Sequence, residues 1–187
     1  MKIEPTTLPD VLILTPRRFQ DARGWFTETW NAARMAEAGL DLPWVQDNHS
    51  SSTAKGTLRG LHYQSPPRAQ DKLVRCSRGA VLDVAVDIRA GSPTHAQWAA
   101  VELSAENGRQ MFVPKGFLHG FITLTDHAEV QYKCTDLYAP EHDGAVRWDD
   151  PAIGVDWGTR APILSDKDAT APLLSAIGQP FRWEGGQ

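Results

Sequence analysis

Cysteine is scarce in this chain of 187 residues: only Cys76 and Cys134 occur, both inside apolar segments. There is no CxxC pair and no zinc-knuckle spacing, and two such residues give no basis for a disulfide framework. Reduced, buried thiols in a cytoplasmic protein are the expectation. Charge of one sign is missing too, since 19 basic and 23 acidic residues leave a formal net charge of −4. Without a lysine- or arginine-rich block, general nucleic-acid binding is not expected, because it rests on neutralising phosphates. No apolar run approaches membrane-spanning length, so no membrane partner is expected. The opening Met1-Lys2-Ile3-Glu4-Pro5 lacks the apolar core and cleavage site of a signal peptide. Dinucleotide, P-loop and α/β-hydrolase chemistry lack their motifs as well: GxGxxG, GxxxxGK[ST] and GxSxG are all absent. Chemistry here must rest on side chains alone or on a metal.

What is present is punctuation. Fifteen glycines and thirteen prolines are spread along the chain with no linker, repeat or low-complexity segment, which implies a single domain over 1–187. Between them lie short alternating runs. The clearest, Val81 to Arg89, puts Leu82, Val84, Val86 and Ile88 on one face and Asp83, Ala85, Asp87 and Arg89 on the other. Val11–Leu14, Lys72–Ser77, Trp98–Leu103, Gln110–Val113, Phe121–Leu124 and Glu129–Cys134 read as further strands. Asn31 to Ala38, closed by Gly39, predicts one helix, and Ala169 to Ile177 a second. Many short strands with few helices predict a mainly β fold, a sandwich or barrel. The seven tryptophans fit core and rim packing better than a stacking platform for bases.

Two segments carry chemistry. In Thr57-Leu58-Arg59-Gly60-Leu61-His62-Tyr63-Gln64 a histidine follows an arginine, and Lys72 comes ten residues later. Histidine titrates near neutrality, arginine grips phosphate bidentately, and lysine stabilises a nascent oxyanion. Taken singly, each has a blander reading: packing for His62 and Tyr132, a solvated charge for Lys72, a helix cap for Asp168. The second segment, Pro114-Lys115-Gly116-Phe117-Leu118-His119-Gly120-Phe121, has the P-x-G-x-x-H spacing of the second motif of cupin jelly rolls. Metal-binding cupins supply HxH and a glutamate from the earlier strand. Here Gln64 takes the place of the second histidine and no glutamate follows, which suggests a pocket without metal.

Together with Arg23-Gly24-Trp25-Phe26-Thr27-Glu28, Gln46-Asp47-Asn48-His49-Ser50, Lys72-Leu73-Val74-Arg75, Tyr132-Lys133-Cys134, Trp148-Asp149-Asp150-Pro151 and Ser165-Asp166-Lys167-Asp168, these runs resemble the dTDP-4-dehydrorhamnose 3,5-epimerase family. The likeness extends over roughly residues 5 to 170, in the family's order and spacing. It implies a cupin-type jelly-roll β-sandwich, a homodimer, no cofactor, and a dTDP-linked 4-keto-6-deoxyhexose as substrate. By resemblance His62 is the base and Asp168 its dyad partner. Lys72 stabilises the enolate oxygen, and Tyr132 delivers a proton from the far face, its pKa lowered by a neighbouring cation. Arg23 and Arg59 match diphosphate-contacting positions. Glu28, Gln46, Asp47 and Asn48 match nucleotide contacts, Phe26 and Tyr138 are candidates to stack on the base, and His119 and Lys167 match ligand contacts.

Two departures stand out: Asp143 where the family usually has glutamate, and Leu118 where it has alanine, which would narrow the pocket or simply pack. Arg59 and His62 also have opposite strand parity, so a bulge at Gly60 is expected if both face the site. Otherwise Arg59 would reach a neighbouring subunit's ligand. Competing functions are a monofunctional 3- or 5-epimerase, a metal-dependent cupin isomerase or dioxygenase, and a silent sugar-nucleotide binder.

Overall fold

The computed structural model describes residues 1–185. Two antiparallel sheets stack face to face. The larger has the order β1 (Lys2–Pro5), β2 (Leu12–Thr15), β11 (Gln110–Val113), β7 (Lys72–Arg78), β13 (Ala128–Cys134), β5 (Gln46–Ser52). The smaller runs β10 (Trp98–Ser104), β8 (Ala80–Asp87), β12 (Phe117–Thr123), β6 (Leu58–Gln64), β14 (Asp143–Ala145). A separate hairpin joins β3 (Arg18–Asp21) to β4 (Gly24–Thr27), and β9 (Arg89–Ala90) pairs in parallel with β15 (Phe181–Arg182). The fold is the expected jelly-roll β-sandwich with few short helices.

Helix α1 (Ala32–Glu37) begins where the Asn31 side chain accepts from the Arg34 N–H, close to the predicted span. The predicted second helix does not form. Instead α2 covers Asp166–Ala169, and a 3-10 turn at Leu174–Ala176 follows. Pro172 explains the break: it has no N–H to donate and disfavours helical backbone at Ala171.

Three apolar clusters show why alternation misled in places. Val74, Val81, Ala85, Phe117, Phe121 and Val130 meet between the sheets. Outside the smaller sheet, Leu58, Leu61, Val84, Val86 and Leu118 pack under Ile153, Trp157 and Phe181 of the C-terminal segment. Outside the larger sheet, Leu73 and Phe112 pack under Met35 of α1 and Leu40. Strands covered on both faces lose their polar side. All seven residues of β12 are buried, so it starts at Phe117 rather than at the predicted Phe121. In β8 the aspartate-bearing face is not the solvent face; Asp83 and Asp87 point into the sandwich and are fully buried.

The predicted bulge is present. Across β6 and β12, His62 pairs with His119 and Arg59 with Phe121, so three steps on one strand match two on the other. Arg59 Nε then reaches Ser52 Oγ of the facing sheet at 3.1 Å, so Arg59 and His62 share the inner face. Gly60 holds φ of 130°, and a Cβ there would stand 2.5 Å from Gly120 Cα. A Cβ on Gly120 would stand 2.9 Å from the Arg59 carbonyl. Only glycine at both positions lets the two backbones cross in contact.

Candidate active site

The site forms where the inner faces of both sheets open toward α2 and β14. His62 Nε2 lies 2.6 Å from Asp168 Oδ1. An ionised carboxylate only accepts, so Nε2 carries the proton and Nδ1 is the basic nitrogen. Ser165, the cap of α2, ties the carboxylate down. Its Oγ donates to Asp168 Oδ2 at 2.9 Å and accepts from the Asp168 N–H at 3.2 Å. Burial by itself would raise the Asp168 carboxyl. The hydrogen bond and charge of His62, with Ser165 and the Gly60 N–H, outweigh that and hold it below the ordinary carboxylate range.

A second pair lies alongside. His119 Nε2 is 2.8 Å from Asp83 Oδ1, and the His119 ring is tilted at 6.4 Å from Tyr132. Asp83 Oδ2 has no partner among the described residues. From the facing sheet, Lys72 pairs in register with Cys134, two residues beyond Tyr132. Burial pulls the Lys72 ammonium down, while Cys134 and the carboxylates of Asp143 and Asp83 act against it. For Tyr132 the expected lowering is overturned. Burial drives the phenol up and outweighs Arg59, which alone acts downward, so Tyr132 holds its proton.

Around the mouth, Asp143 pairs with Lys167 and accepts from Tyr138 Oη at 3.4 Å. The Tyr138 N–H donates to Gln46 Oε1 at 2.8 Å, and Gln46 Nε2 to Asn48 Oδ1 at 3.1 Å. Gln64, at the position of the missing metal ligand, serves the backbone. It accepts from the Ala139 N–H at 2.9 Å and donates to the Leu137 carbonyl at 3.0 Å. Among the described residues no group of three or more His, Cys, Asp or Glu is arranged to hold a metal. Leu118 is fully buried in the outer cluster, so it packs rather than narrows the pocket. Both cysteines are free and buried, and burial pushes both thiols up.

Four predicted ligand contacts are not brought to this mouth. Arg23 lies on the β3–β4 hairpin, 90% exposed and bound to Asp21. Phe26, on the same hairpin, is 69% exposed. Glu28 turns to Asn31 and Arg34 of α1. Asp47 alternates with Gln46 and Asn48 and so faces the other way, where it pairs with Lys133. There, a cavity of about 360 Å³ is lined by Trp30, Asp47, His49, Arg75 and Lys133, on the side of the sheet away from His62. Sequence reasoning missed Asp83; the available signal was a carboxylate between Val81 and Ala85, on an otherwise apolar strand face.

A family model described as dTDP-4-dehydrorhamnose 3,5-epimerase matches residues 5–176. The chain belongs to that family. A dTDP-4-dehydrorhamnose 3,5-epimerase of Salmonella typhimurium is 53% identical over 176 residues, 93% of this chain and 96% of its relative. Among solved structures, a dTDP-6-deoxy-D-glucose-3,5-epimerase of Legionella pneumophila in complex with dTDP-4-keto-L-rhamnose superposes with a TM-score of 0.94 at 46% identity, covering 98% of this chain and 99% of that one. A 3'-monoepimerase of Streptomyces bikiniensis in complex with dTDP-quinovose superposes at 0.86 with 37% identity, covering 91% and 87%. The proteins similar to this chain thus include ones named as 3,5-epimerases and one named as a 3'-monoepimerase.

Proposed function

We propose that this chain is a dTDP-4-dehydrorhamnose 3,5-epimerase, converting dTDP-4-dehydro-6-deoxy-D-glucose to dTDP-4-dehydro-L-rhamnose without a cofactor. The C4 ketone acidifies the hydrogens on C3 and C5, so inversion proceeds through an enolate. His62 Nδ1 takes the proton, and Asp168 fixes the tautomer and stabilises the imidazolium. Lys72 faces the enolate oxygen. An ammonium drawn toward deprotonation by burial gains from negative charge developing beside it. Tyr132, a phenol that keeps its proton, serves as the acid from the opposite sheet. Base and acid on facing sheets make the outcome inversion instead of simple exchange. The observation that carries this reading is the His62–Asp168 hydrogen bond on the inner face of one sheet, across from the inner face of the other sheet that bears Lys72 and Tyr132.

The test is turnover of dTDP-4-keto-6-deoxyglucose in deuterated water, read by NMR. Deuterium at both C3 and C5 is expected. Label at one carbon would convert the reading to a monofunctional epimerase of the kind found in Streptomyces bikiniensis, and no label would leave only binding.

Arg23, Phe26 and Glu28 act, in this reading, on the nucleotide in a second copy's pocket, within a homodimer in the cytoplasm. Support comes from the hairpin itself: Phe19 and Phe26 are register partners exposed side by side on a two-stranded element, an apolar pair of the sort that marks an interface. Light scattering should give twice the 20.6 kDa chain mass. A monomer at working concentration would remove those three residues from the site.

A further inference from the structure

Among the described residues, Asp83 is the one carboxylate with a buried oxygen that has no hydrogen-bond partner. It sits at mid-strand in β8, fully buried, opposite Phe121 of β12 and Val101 of β10. Oδ1 is committed to His119 Nε2 at 2.8 Å, while Oδ2 lies buried with no partner among the described residues. Such a half-satisfied carboxylate is costly to bury, by about 1–3 kcal/mol for the unpaired group. A packing role alone gives no reason to bear that cost, since an apolar side chain would fit the neighbouring Val81 and Ala85 surface. His119 retains 8% exposure of its side chain, and its Nδ1 has no hydrogen bond among the described residues.

We propose that Asp83 is a positioning residue: from the floor of the pocket it forces the proton of His119 onto Nε2, leaving Nδ1 as an acceptor for a hydroxyl of the sugar. The logic is donor–acceptor bookkeeping. A carboxylate cannot donate, so the nitrogen facing it must, and a neutral imidazole then has only an acceptor at the other edge. The same carboxylate supplies negative charge beneath Lys72. Lys72 is faced by Cys134 from β13, Asp143 from β14 and Asp83 from β8, and each favours the ammonium against burial. Asp143 is shared with Lys167, which leaves Asp83 as the carboxylate without a cationic side chain bonded to it other than through His119. The inference rests on the epimerase reading for the identity of the hydroxyl, but not for the tautomer.

Two measurements test it. In wild-type protein labelled with 15N-histidine, long-range 1H–15N correlation should show His119 with its proton on Nε2 and a bare Nδ1. A proton on Nδ1 would overturn the proposal, and this experiment needs no variant that folds and no substrate. In Asp83→Asn, the amide can donate or accept, so the tautomer should become mixed. kcat/KM should fall about 10- to 100-fold, the usual cost of removing a carboxylate behind a site histidine at metal centres. The alkaline limb of the kcat profile should move to lower pH, because Lys72 loses one of the negative groups that hold its proton. A merely structural Asp83 would lower stability and leave that limb in place, and an unmoved limb in folded Asp83→Asn overturns the proposal. If wild type places no deuterium on C3 or C5, the epimerase reading fails while the NMR result still decides the tautomer.

Discussion

The histidines of the two histidine–aspartate pairs lie on neighbouring strands as direct register partners, each joined to its carboxylate through Nε2 and Oδ1. Their surroundings differ. The His62 side chain is 31% exposed and its carboxylate has both oxygens engaged, whereas His119 is 8% exposed over a carboxylate with one oxygen idle. A base must hand its proton back each cycle, which requires access to solvent together with a partner whose charge is fully supported. The mouth pair has both properties. The floor pair has neither, and suits a fixed acceptor that holds the sugar while its neighbour works. A histidine beside an aspartate is therefore not a role; exposure and the satisfaction of the second oxygen decide it.

The comparison is broken most severely by His62→Ala. It should cost about 10²- to 10⁴-fold in turnover and remove deuterium exchange at both carbons, as expected for loss of a general base. Near-native exchange would put the base elsewhere, with His119 the first place to look.

Asp168→Asn comes next, with a loss of about 10²-fold as the enforced tautomer disappears. It has a second signature. The folded-state pKa of Asp168 is depressed, so its contribution to stability is complete above the unfolded carboxyl value of about 3.9 and is lost as pH falls through the folded value. Urea midpoints followed from neutral to acid pH should show this limb in wild type and its weakening in Asp168→Asn.

Gly120→Ala sharpens the comparison by disturbing both pairs at once. The new Cβ meets the Arg59 carbonyl and Gly60 Cα, so the strands must part. A loss of about 1–3 kcal/mol in denaturant unfolding is expected, with reduced activity that added substrate does not restore. The smallest effect belongs to Asp143→Glu, which keeps the charge and adds one methylene. Its partner Lys167 is half-exposed, and exposed pairs contribute about 0–1 kcal/mol. The change should move KM by a few-fold at most.

Legibility in the sequence followed alternation and turn signals. Strands with one wet face, or with clean turns at both ends, were readable: Gln110–Val113 matches residue for residue, and β7, β10 and β13 to within one residue at an end. β5 was not, because Gln-Asp-Asn-His-Ser-Ser-Ser holds no apolar residue and pairs on one side only, with β13. β12 was half-read because both its faces are covered. At the site, His62 stood out by residue type, but Asp168 lies 106 residues away and nothing local marks it as a partner. Only the family resemblance joined them. Asp83 was visible on the face opposite Leu82, Val84 and Val86, but alternation cannot tell a wet face from a buried one that carries charge. Arg23, Phe26 and Glu28 were legible as motif residues, but nothing local to them told that they would lie away from His62.

The contact between Gly60 and Gly120 has one more consequence. Where two strands touch main chain to main chain, the gap between them is fixed by atoms that every amino acid shares. The separation of His62 and His119 is thus insulated from drift in the surrounding hydrophobic side chains. The core around them is free to be rewritten while the spacing of the two imidazoles stays constant. In this fold, tolerance to mutation in the interior and intolerance at two glycines are the same property.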